Sequence, residues 1–297
     1  MKRIKQTGFI ILLILVSGLL IHAVPEKMER KITGKGTARY FPAAVDFAGE
    51  PTPLNISDVK ERFDRELLVN ANLDATTLLI IKRANRAFPV IEPILAKYGV
   101  PDDFKYLAVI ESGLLNAVSP AGAKGVWQFM EGTAKESGME VNNEVDERYH
   151  LEKSTEAACR YLLAAKLRFG SWTLAAASYN GGMTGVNKQI EIQKVSNYYD
   201  LLLTDETSRY VFRILALKEI MKNPQLYGFE IVPEELYENL PTRKVEVDST
   251  ITDLADFAKA QGINYKILKI HNPWLRDKKL SNAAKKKYEI EIPLKGY

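Results

Sequence analysis

The feature that most constrains the fold is a long succession of helix signals with no strand between them. From about residue 58 to residue 223, apolar residues recur at helical spacing. Pro101, Asp102 and Asp103 mark one helix start, because proline suits the first turn and carboxylates favour the positive end of the helix dipole. Helices strung together in this way bury their apolar faces against one another. The sequence therefore predicts an all-α domain, placed at residues 57–235.

The spacing also gives expected helix positions within this domain. The predicted helices cover residues 58–70, 76–88, 90–98, 101–111, 154–169, 171–179 and 205–223. The pattern changes after residue 242. Alternating residues predict a strand at each end of the tail, 243–248 and 287–292, and two short helices lie between them. Residues 243–297 therefore predict a small β-α-α-β module.

The N-terminus has the composition of an export signal. Lys2, Arg3 and Lys5 precede an apolar run over residues 9–21, which is short for a membrane span. Ile21 is bulky for a cleavage site, so two alternatives stay open for residues 1–24: a cleaved signal peptide or an N-terminal anchor. We expect an exported, periplasmic or cell-envelope protein, either free or associated with the membrane through this segment.

Charge and composition exclude several classes of function. The formal net charge is only +4, so no strong field for nucleic acid surrounds the chain. The Lys and Arg residues outnumber the Asp and Glu residues 12 to 7 in residues 243–297, which places the basicity in the tail. Residues 25–56 are rich in proline and glycine and predict a linker or a loosely docked arm. The three His and the single Cys form no cluster in the sequence, so we expect no metal and no cofactor.

One carboxylate stands out among the many in the chain. Glu111 ends the apolar stretch FKYLAVIES, directly before Ser112 and Gly113. Two interpretations stay open from these residues alone. Glu111 is an exposed acid at a helix end, or it is a general acid whose pKa is raised by partial burial, since burial penalises the charged form.

Two further segments add to this signal. The segment GAKGVWQFM, residues 122–130, places two glycines before a Trp, a Gln and a Phe, and ASYNGG, residues 177–182, ends a helix with Asn and two glycines. Each segment alone has an ordinary structural interpretation, as a tight loop and as a helix C-cap. The order and spacing of the three segments together are specific.

These segments resemble the lytic murein transglycosylases with a goose-lysozyme-like, all-α catalytic domain, particularly the membrane-bound transglycosylase D group. The similarity covers about residues 88–222, and the tail resembles a LysM peptidoglycan-binding module. The resemblance implies Glu111 as the single catalytic acid and base, with Tyr210 of the segment ETSRYV pointing at it. It implies a sugar cleft lined by Ser112, Gly125, Gln128, Phe129, Met130, Tyr179 and Asn180.

The resemblance also implies a reaction and a partner. Peptidoglycan glycan strands would be cleaved at the β-1,4 bond between N-acetylmuramic acid and N-acetylglucosamine, with formation of 1,6-anhydromuramic acid. Two alternatives remain: a hydrolytic goose-type lysozyme on the same fold, with Glu131, Asp146, Glu147 or Glu206 as second acid, and a non-catalytic wall-binding protein. The chain departs from the family pattern at His150 and Leu151, where an Asp-Pro pair is expected. Protein partners stay unknown.

Overall fold

A helical domain followed by a small mixed module makes up residues 40–295, the part of the chain that the computed structural model describes. The helices α1 to α10 are Ser57–Asn72, Asp74–Tyr98, Lys105–Ser112, Glu131–Glu136, Leu151–Phe169, Trp172–Gly181, Met183–Gln193, Asp205–Lys222, Leu254–Ala260 and Tyr265–His271. Two antiparallel strand pairs accompany them: β1 Asp46–Phe47 with β2 Glu50–Pro51, and β3 Thr242–Val247 with β4 Tyr288–Pro293. The predicted mainly α fold with a β-α-α-β tail is confirmed.

Helix α2 differs from its prediction, because two expected helices are one. It runs for 25 residues through Pro89 and Pro93, both of which lie on its exposed side. Proline lacks the N–H that the helix ladder needs, so a break is expected from local chemistry. Here the opposite side buries a continuous apolar stripe, which includes Ile91 and Leu95. The packing of that stripe outweighs the local cost of the prolines.

Helix α7 was not predicted from the sequence. Val186 is the one residue of this helix that is buried. A periodic apolar signal needs several buried positions, and this short surface helix has too few of them.

Residues 40–56 are part of the segment predicted as a linker or loosely docked arm, and they pack tightly instead. Phe47 is 0% exposed and lies edge-to-face against Phe104, with ring centroids 5.0 Å apart. Lys218 of α8 donates to the carbonyl of Asp46 at 2.8 Å and to the carboxylate of Asp103 at 2.6 Å. Glu50 accepts from the backbone N–H groups at the start of α6. A loose arm is therefore wrong for these residues.

The predicted export or anchor segment, residues 1–24, lies outside the described residues. Between residues 40 and 295, no helix combines the length and the apolar composition that crossing a bilayer requires.

The C-terminal module is joined to the helical domain by backbone hydrogen bonds. The N–H of Asp146 donates to the carbonyl of Trp274 at 2.9 Å, and the N–H of Arg276 donates to the carbonyl of Glu144 at 2.7 Å. Val145 belongs to the apolar core of the module although it lies in the helical domain. Because the two parts share a core and a bridge of paired backbone, we expect them to move as one body.

We expect the variant Phe47→Ala to lower the free energy of unfolding by about 3–5 kcal/mol, because a buried Phe is replaced by a cavity. Leu167→Ala is the control, since Leu167 is 89% exposed. Urea denaturation measures both. A loss below 1 kcal/mol for Phe47→Ala, similar to that of the control, would contradict the tight docking of residues 40–56.

Candidate active site

The site is built around Glu111 in the last turn of α3. The helix buries Tyr106, Leu107, Ala108 and Val109 in the core. It ends at Gly113, which adopts a left-handed φ of 59° and donates its N–H to the carbonyl of Val109 at 2.8 Å. Glu111 therefore lies where the core ends, and its side chain is only partly exposed. The structure thus shows the partial burial that the second interpretation requires, and the role of Glu111 as a general acid stays a prediction.

Tyr210 is the hydrogen-bond partner of this carboxyl group. It lies in α8, is 2% exposed, and donates its hydroxyl to Oε1 of Glu111. The two residues are far apart in sequence, and the packing of α3 against α8 brings them together. The expectation that Tyr210 points at Glu111 agrees with the geometry.

Burial raises the pKa of Glu111 to about 7. Desolvation is the largest cause, because it penalises the charged form. The hydrogen bond from Tyr210 and the positive charge of Arg213 lower this pKa, and the negative charge of Glu206 raises it. Near neutral pH the side chain therefore exists in both forms, as a group that donates and later accepts a proton requires.

A loop of residues 117–130 is bound to the end of α3 through Ser112, and Gly125 sets its path. Gly125 has a φ of 84°, and a Cβ atom there would lie 1.8 Å from the carbonyl oxygen of Arg148. Gln128 has a φ of 51°, and its amide nitrogen donates to the carbonyls of Ala117 at 3.1 Å and Gly125 at 2.7 Å. In this structure both predicted cleft residues hold the loop in shape.

Ser112 connects the loop to helix α3. Its hydroxyl donates to the carbonyl of Val126 at 2.8 Å. The next residue of the loop, Trp127, is fully buried, and its indole N–H donates to the hydroxyl of Thr155 at 2.8 Å. The loop therefore has a fixed position relative to Glu111.

Tyr179 and Asn180, at the end of α6, bind the loop and α8 respectively. The hydroxyl of Tyr179 donates to the carbonyl of Trp127 at 2.8 Å. The side-chain oxygen of Asn180 accepts from the hydroxyl of Thr207 at 2.7 Å, one turn before Tyr210. The three sequence segments and α8 are thus joined by a continuous series of hydrogen bonds.

Phe129 and Met130 differ from the other predicted cleft residues. Phe129 is buried and lies edge-to-face against Tyr179, with ring centroids 6.0 Å apart. Met130 is 46% exposed at the start of α4. Phe129 is part of the hydrophobic core, and Met130 is the one of the two that is exposed to solvent.

The sequence did not reveal the role of Arg148. Its guanidinium is 2% exposed and forms a bidentate pair with Asp146, with N–O distances of 2.8 and 2.7 Å. It also donates to the carbonyls of Gly122 and Phe129 at 3.5 and 3.4 Å. Asp146 in turn donates its backbone N–H to Trp274. The loop is therefore connected to the C-terminal module through one buried ion pair.

The four acids considered as a second catalytic group have different surroundings. Glu131 forms an ion pair with Lys135, Asp146 with Arg148, and Glu147 with Lys153. Glu206 is exposed in the first turn of α8, and it acts on Glu111 through its charge. Of these four, Glu206 is the one whose charge shifts the pKa of Glu111.

The sequence predicted no metal and no cofactor. Within residues 40–295, no group of three or more His, Cys, Asp or Glu side chains is arranged to hold a metal ion.

The structure shows a helical domain with a partly buried acid of raised pKa, Glu111, and comparisons with known proteins show which domains the chain contains. Residues 89–202 match the family described as "Transglycosylase SLT domain". Residues 243–296 match the "Soluble lytic transglycosylase C-terminal LysM-like domain". The chain therefore carries a transglycosylase SLT domain followed by a LysM-like domain.

Among its curated relatives are two proteins named "Membrane-bound lytic murein transglycosylase D", from Escherichia coli strains K12 and CFT073. Each is 28% identical to the chain over 247 residues, which is 80% of the chain and 53% of the relative. The chain thus spans about half the length of these relatives, and it is homologous to them.

We expect the free energy of unfolding of Glu111→Gln, relative to that of the wild type, to increase as pH rises. The folded-state pKa of Glu111 lies above its usual value. Between about pH 4.5 and pH 7 the unfolded chain therefore ionises this carboxyl group more readily than the folded protein does, and the free energy of unfolding of the wild type falls. The advantage of Glu111→Gln in the free energy of unfolding should be larger at pH 8 than at pH 4.5 by about 1–3 kcal/mol.

Urea denaturation at the two pH values measures this difference. Glu131→Gln is the control, because Glu131 is exposed and its ion pair with Lys135 lowers its pKa. The control should show no such gain. A pH-independent difference for Glu111→Gln would contradict the raised pKa.

Proposed function

We propose that the chain is a lytic transglycosylase that cleaves the β-1,4 bond between N-acetylmuramic acid and N-acetylglucosamine in peptidoglycan, with Glu111 as its single general acid and base. The observation that carries this proposal is the partly buried carboxyl group of Glu111, whose pKa is about 7 and which accepts a hydrogen bond from Tyr210. The names of the homologous proteins and the SLT match support the same reaction class.

The proposed reaction uses one carboxyl group for two proton transfers. Protonated Glu111 donates its proton to the glycosidic oxygen as that bond breaks, and the acetamido group of the substrate stabilises the positive anomeric carbon. The resulting carboxylate of Glu111 then takes the proton of the C6 hydroxyl while the C6 oxygen bonds to the anomeric carbon. The product is a 1,6-anhydro ring, no water is consumed, and Glu111 returns to its protonated form.

Tyr210 orients the acid in this mechanism. Its hydroxyl donates to one carboxyl oxygen of Glu111, which leaves the other oxygen for the substrate. The same hydrogen bond stabilises the carboxylate that forms after the first proton transfer.

Ser112, Gly125, Gln128, Tyr179 and Asn180 are proposed to shape the sugar cleft. Contacts of the first four hold the loop of residues 117–130 in place, and Asn180 binds Thr207 of α8. Met130 supplies an exposed apolar contact, and Phe129 supports the cleft from beneath.

A hydrolytic lysozyme reaction is the second candidate, and Glu206 is the residue that favours it. Its charge acts on Glu111 from the first turn of α8. An acid on the opposite side of the substrate from Glu111 could activate a water molecule. The products distinguish the two reactions, because an anhydro product is lighter by one water molecule.

We propose that the protein acts in the cell envelope after export, with residues 1–24 as signal peptide or anchor. The LysM-like module is proposed to bind glycan strands, and its excess of basic residues favours contact with an anionic wall polymer.

We expect Glu111→Gln to reduce the lysis of purified sacculi by at least about 10²–10⁴-fold, since it removes the proton that the leaving group needs. Turbidity measures lysis, and mass spectrometry identifies the products. The wild type should release anhydromuropeptides.

Glu136→Gln is the control for charge and should leave lysis unchanged, since Glu136 is an exposed acid of α4 and is not one of the four candidate second acids. Reducing-end products alone would reject the transglycosylase proposal in favour of hydrolysis. Equal lysis by wild type and Glu111→Gln, or none by either, would reject Glu111-dependent catalysis.

We expect kcat/KM on soluble glycan strands to fall as pH rises through about 7, because the proton donor is lost. Tyr210→Phe removes a hydrogen bond that lowers the pKa of Glu111, so the fall should move to higher pH. Tyr199→Phe is the matched control, since its hydroxyl binds Thr52 and not the site. A shift to lower pH, or the same shift in both variants, would contradict this assignment.

A further inference from the structure

Residues 140–149 of the helical domain, here called the connecting segment, lie between the C-terminal module and the loop of residues 117–130. The carboxylate of Glu144 in this segment accepts from the N–H and the hydroxyl of Ser281 in the module, at 2.5 and 3.0 Å. These side-chain contacts add to the backbone hydrogen bonds that already join the two parts. The connecting segment is therefore held from the side of the module.

Two acids of the connecting segment accept hydrogen bonds from the module. The amine of Lys286 donates to Glu140 at 2.5 Å and to Glu147 at 3.3 Å. The hydroxyl of Tyr288 donates to the carboxylate of Glu140 at 3.0 Å. The two acids are also joined to each other, because the N–H of Glu140 donates to the carboxylate of Glu147 at 2.8 Å. The module thus fixes both acids with two side chains.

Glu147 depends on these partners because it is only 3% exposed. Burial by itself raises the pKa of a carboxyl group, but the N–H of Glu140 and the amines of Lys153 and Lys286 hold the pKa of Glu147 below its usual value. A buried carboxylate that loses a partner is unfavourable. Loss of the module contacts should therefore shift this part of the connecting segment.

Arg148 transmits the position of the connecting segment to the loop. It follows Glu147 directly, and its guanidinium donates to the carbonyl of Phe129 at 3.4 Å. Its own carbonyl lies against Gly125, where a Cβ atom would approach it to 1.8 Å. A shift of Glu147 therefore moves two contacts of the loop that carries Gln128, a residue of the proposed sugar cleft.

The loop has separate supports for its middle and for its flanks. Its middle is held from the helical domain, because Ser112 binds the carbonyl of Val126 and the indole of Trp127 is buried. The carbonyls of Gly122 and Phe129, on either side, accept from Arg148. Weakening the second support should displace the flanks while the core of the helical domain stays folded.

We propose that Arg148 is a positioning residue of the active site and that Lys286 and Tyr288 of the C-terminal module hold it in place. Docking of the module thereby sets the rate of cleavage, in addition to any binding of glycan by the module. This inference rests on the proposed function, because the rate concerned is that of the cleavage that depends on Glu111.

Steady-state kinetics of the full chain on short soluble glycan strands test the proposal. The double variant Lys286→Gln with Tyr288→Phe removes the contacts to both acids and keeps the ring that stacks on Trp274, with centroids 5.7 Å apart. It should lower kcat by about tenfold and change KM less than about twofold, because a displacement of about 1 Å in a site costs up to about 10²-fold in rate. A role in glycan binding alone would instead raise KM and leave kcat unchanged.

Three further variants serve as matched comparisons. Lys286→Arg keeps the positive charge and, combined with the natural Tyr288, should retain the wild-type kcat. Lys287→Gln removes the neighbouring charge, whose amine binds Glu246 within the module at 2.9 Å, and should also leave kcat unchanged. Arg148→Lys loses the planar fork and should lower kcat at least as much as the double variant. The variants in the module leave the buried ion pair of Arg148 intact, so the test does not depend on the folding of Arg148→Lys.

Hydrogen exchange measured by mass spectrometry reports on the loop without requiring activity. The N–H groups of Lys124, Gly125 and Phe129 are hydrogen-bonded to carbonyls within the loop. In the double variant they should exchange about tenfold faster, as expected when a charge-assisted hydrogen bond that supports the loop is lost. The amides of α8 are the reference and should keep their wild-type rates.

The two measurements together decide the inference. Wild-type kcat in the double variant, a change in KM alone, or a loss of kcat that Lys287→Gln shares would overturn it. Unchanged exchange in the loop, or equally faster exchange in α8, would also overturn it, since the first removes the route and the second indicates general destabilisation. A wild type that cleaves no glycan would overturn the proposed function, and the loop exchange keeps that failure distinguishable from a failure of the module to hold the loop.

Discussion

The desolvated carboxyl group of Glu111 is the feature on which the rest of the site depends. An ionised carboxylate in this position is unfavourable, so the side chain holds its proton up to about pH 7. Burial alone would raise the pKa further, and the hydrogen bond from Tyr210 and the charge of Arg213 limit the shift. The packing of α3 against α8 sets this balance, because it places the acid and the tyrosine hydroxyl together.

Several side chains around Glu111 form hydrogen bonds that stabilise the backbone of the neighbouring loop. Gln128, Ser112 and Tyr179 use their side chains on carbonyl groups of the loop of residues 117–130 or of its immediate neighbours. Arg148 also donates to a carbonyl group of this loop, that of Phe129. Its ion-pair partner Asp146 donates its backbone N–H to Trp274 of the C-terminal module. The LysM-like module is therefore structurally connected to the loop of residues 117–130, and its proposed glycan binding is an addition to that role.

The sequence predicted most elements because local signals and packing agree. The apolar stripes of α1, α5 and α8 and the alternation of β3 and β4 all appear at the expected places. Disagreement arose where packing outweighed local chemistry, as at Pro89 in α2, or where burial was too slight to leave a pattern, as in α7. The docking of residues 40–56 depends on partners far along the chain, such as Lys218, which no local pattern contains.

The sequence by itself determined the helical class, the β-α-α-β tail and the choice of Glu111 as the exceptional acid. Each of these depends on residue order and spacing within a short segment. Only the tertiary structure decided the protonation of Glu111, the structural use of Gln128 and Arg148, and the polar contacts between the two parts. These depend on distances between residues that are remote in sequence, because desolvation and hydrogen bonding act through space and not along the chain.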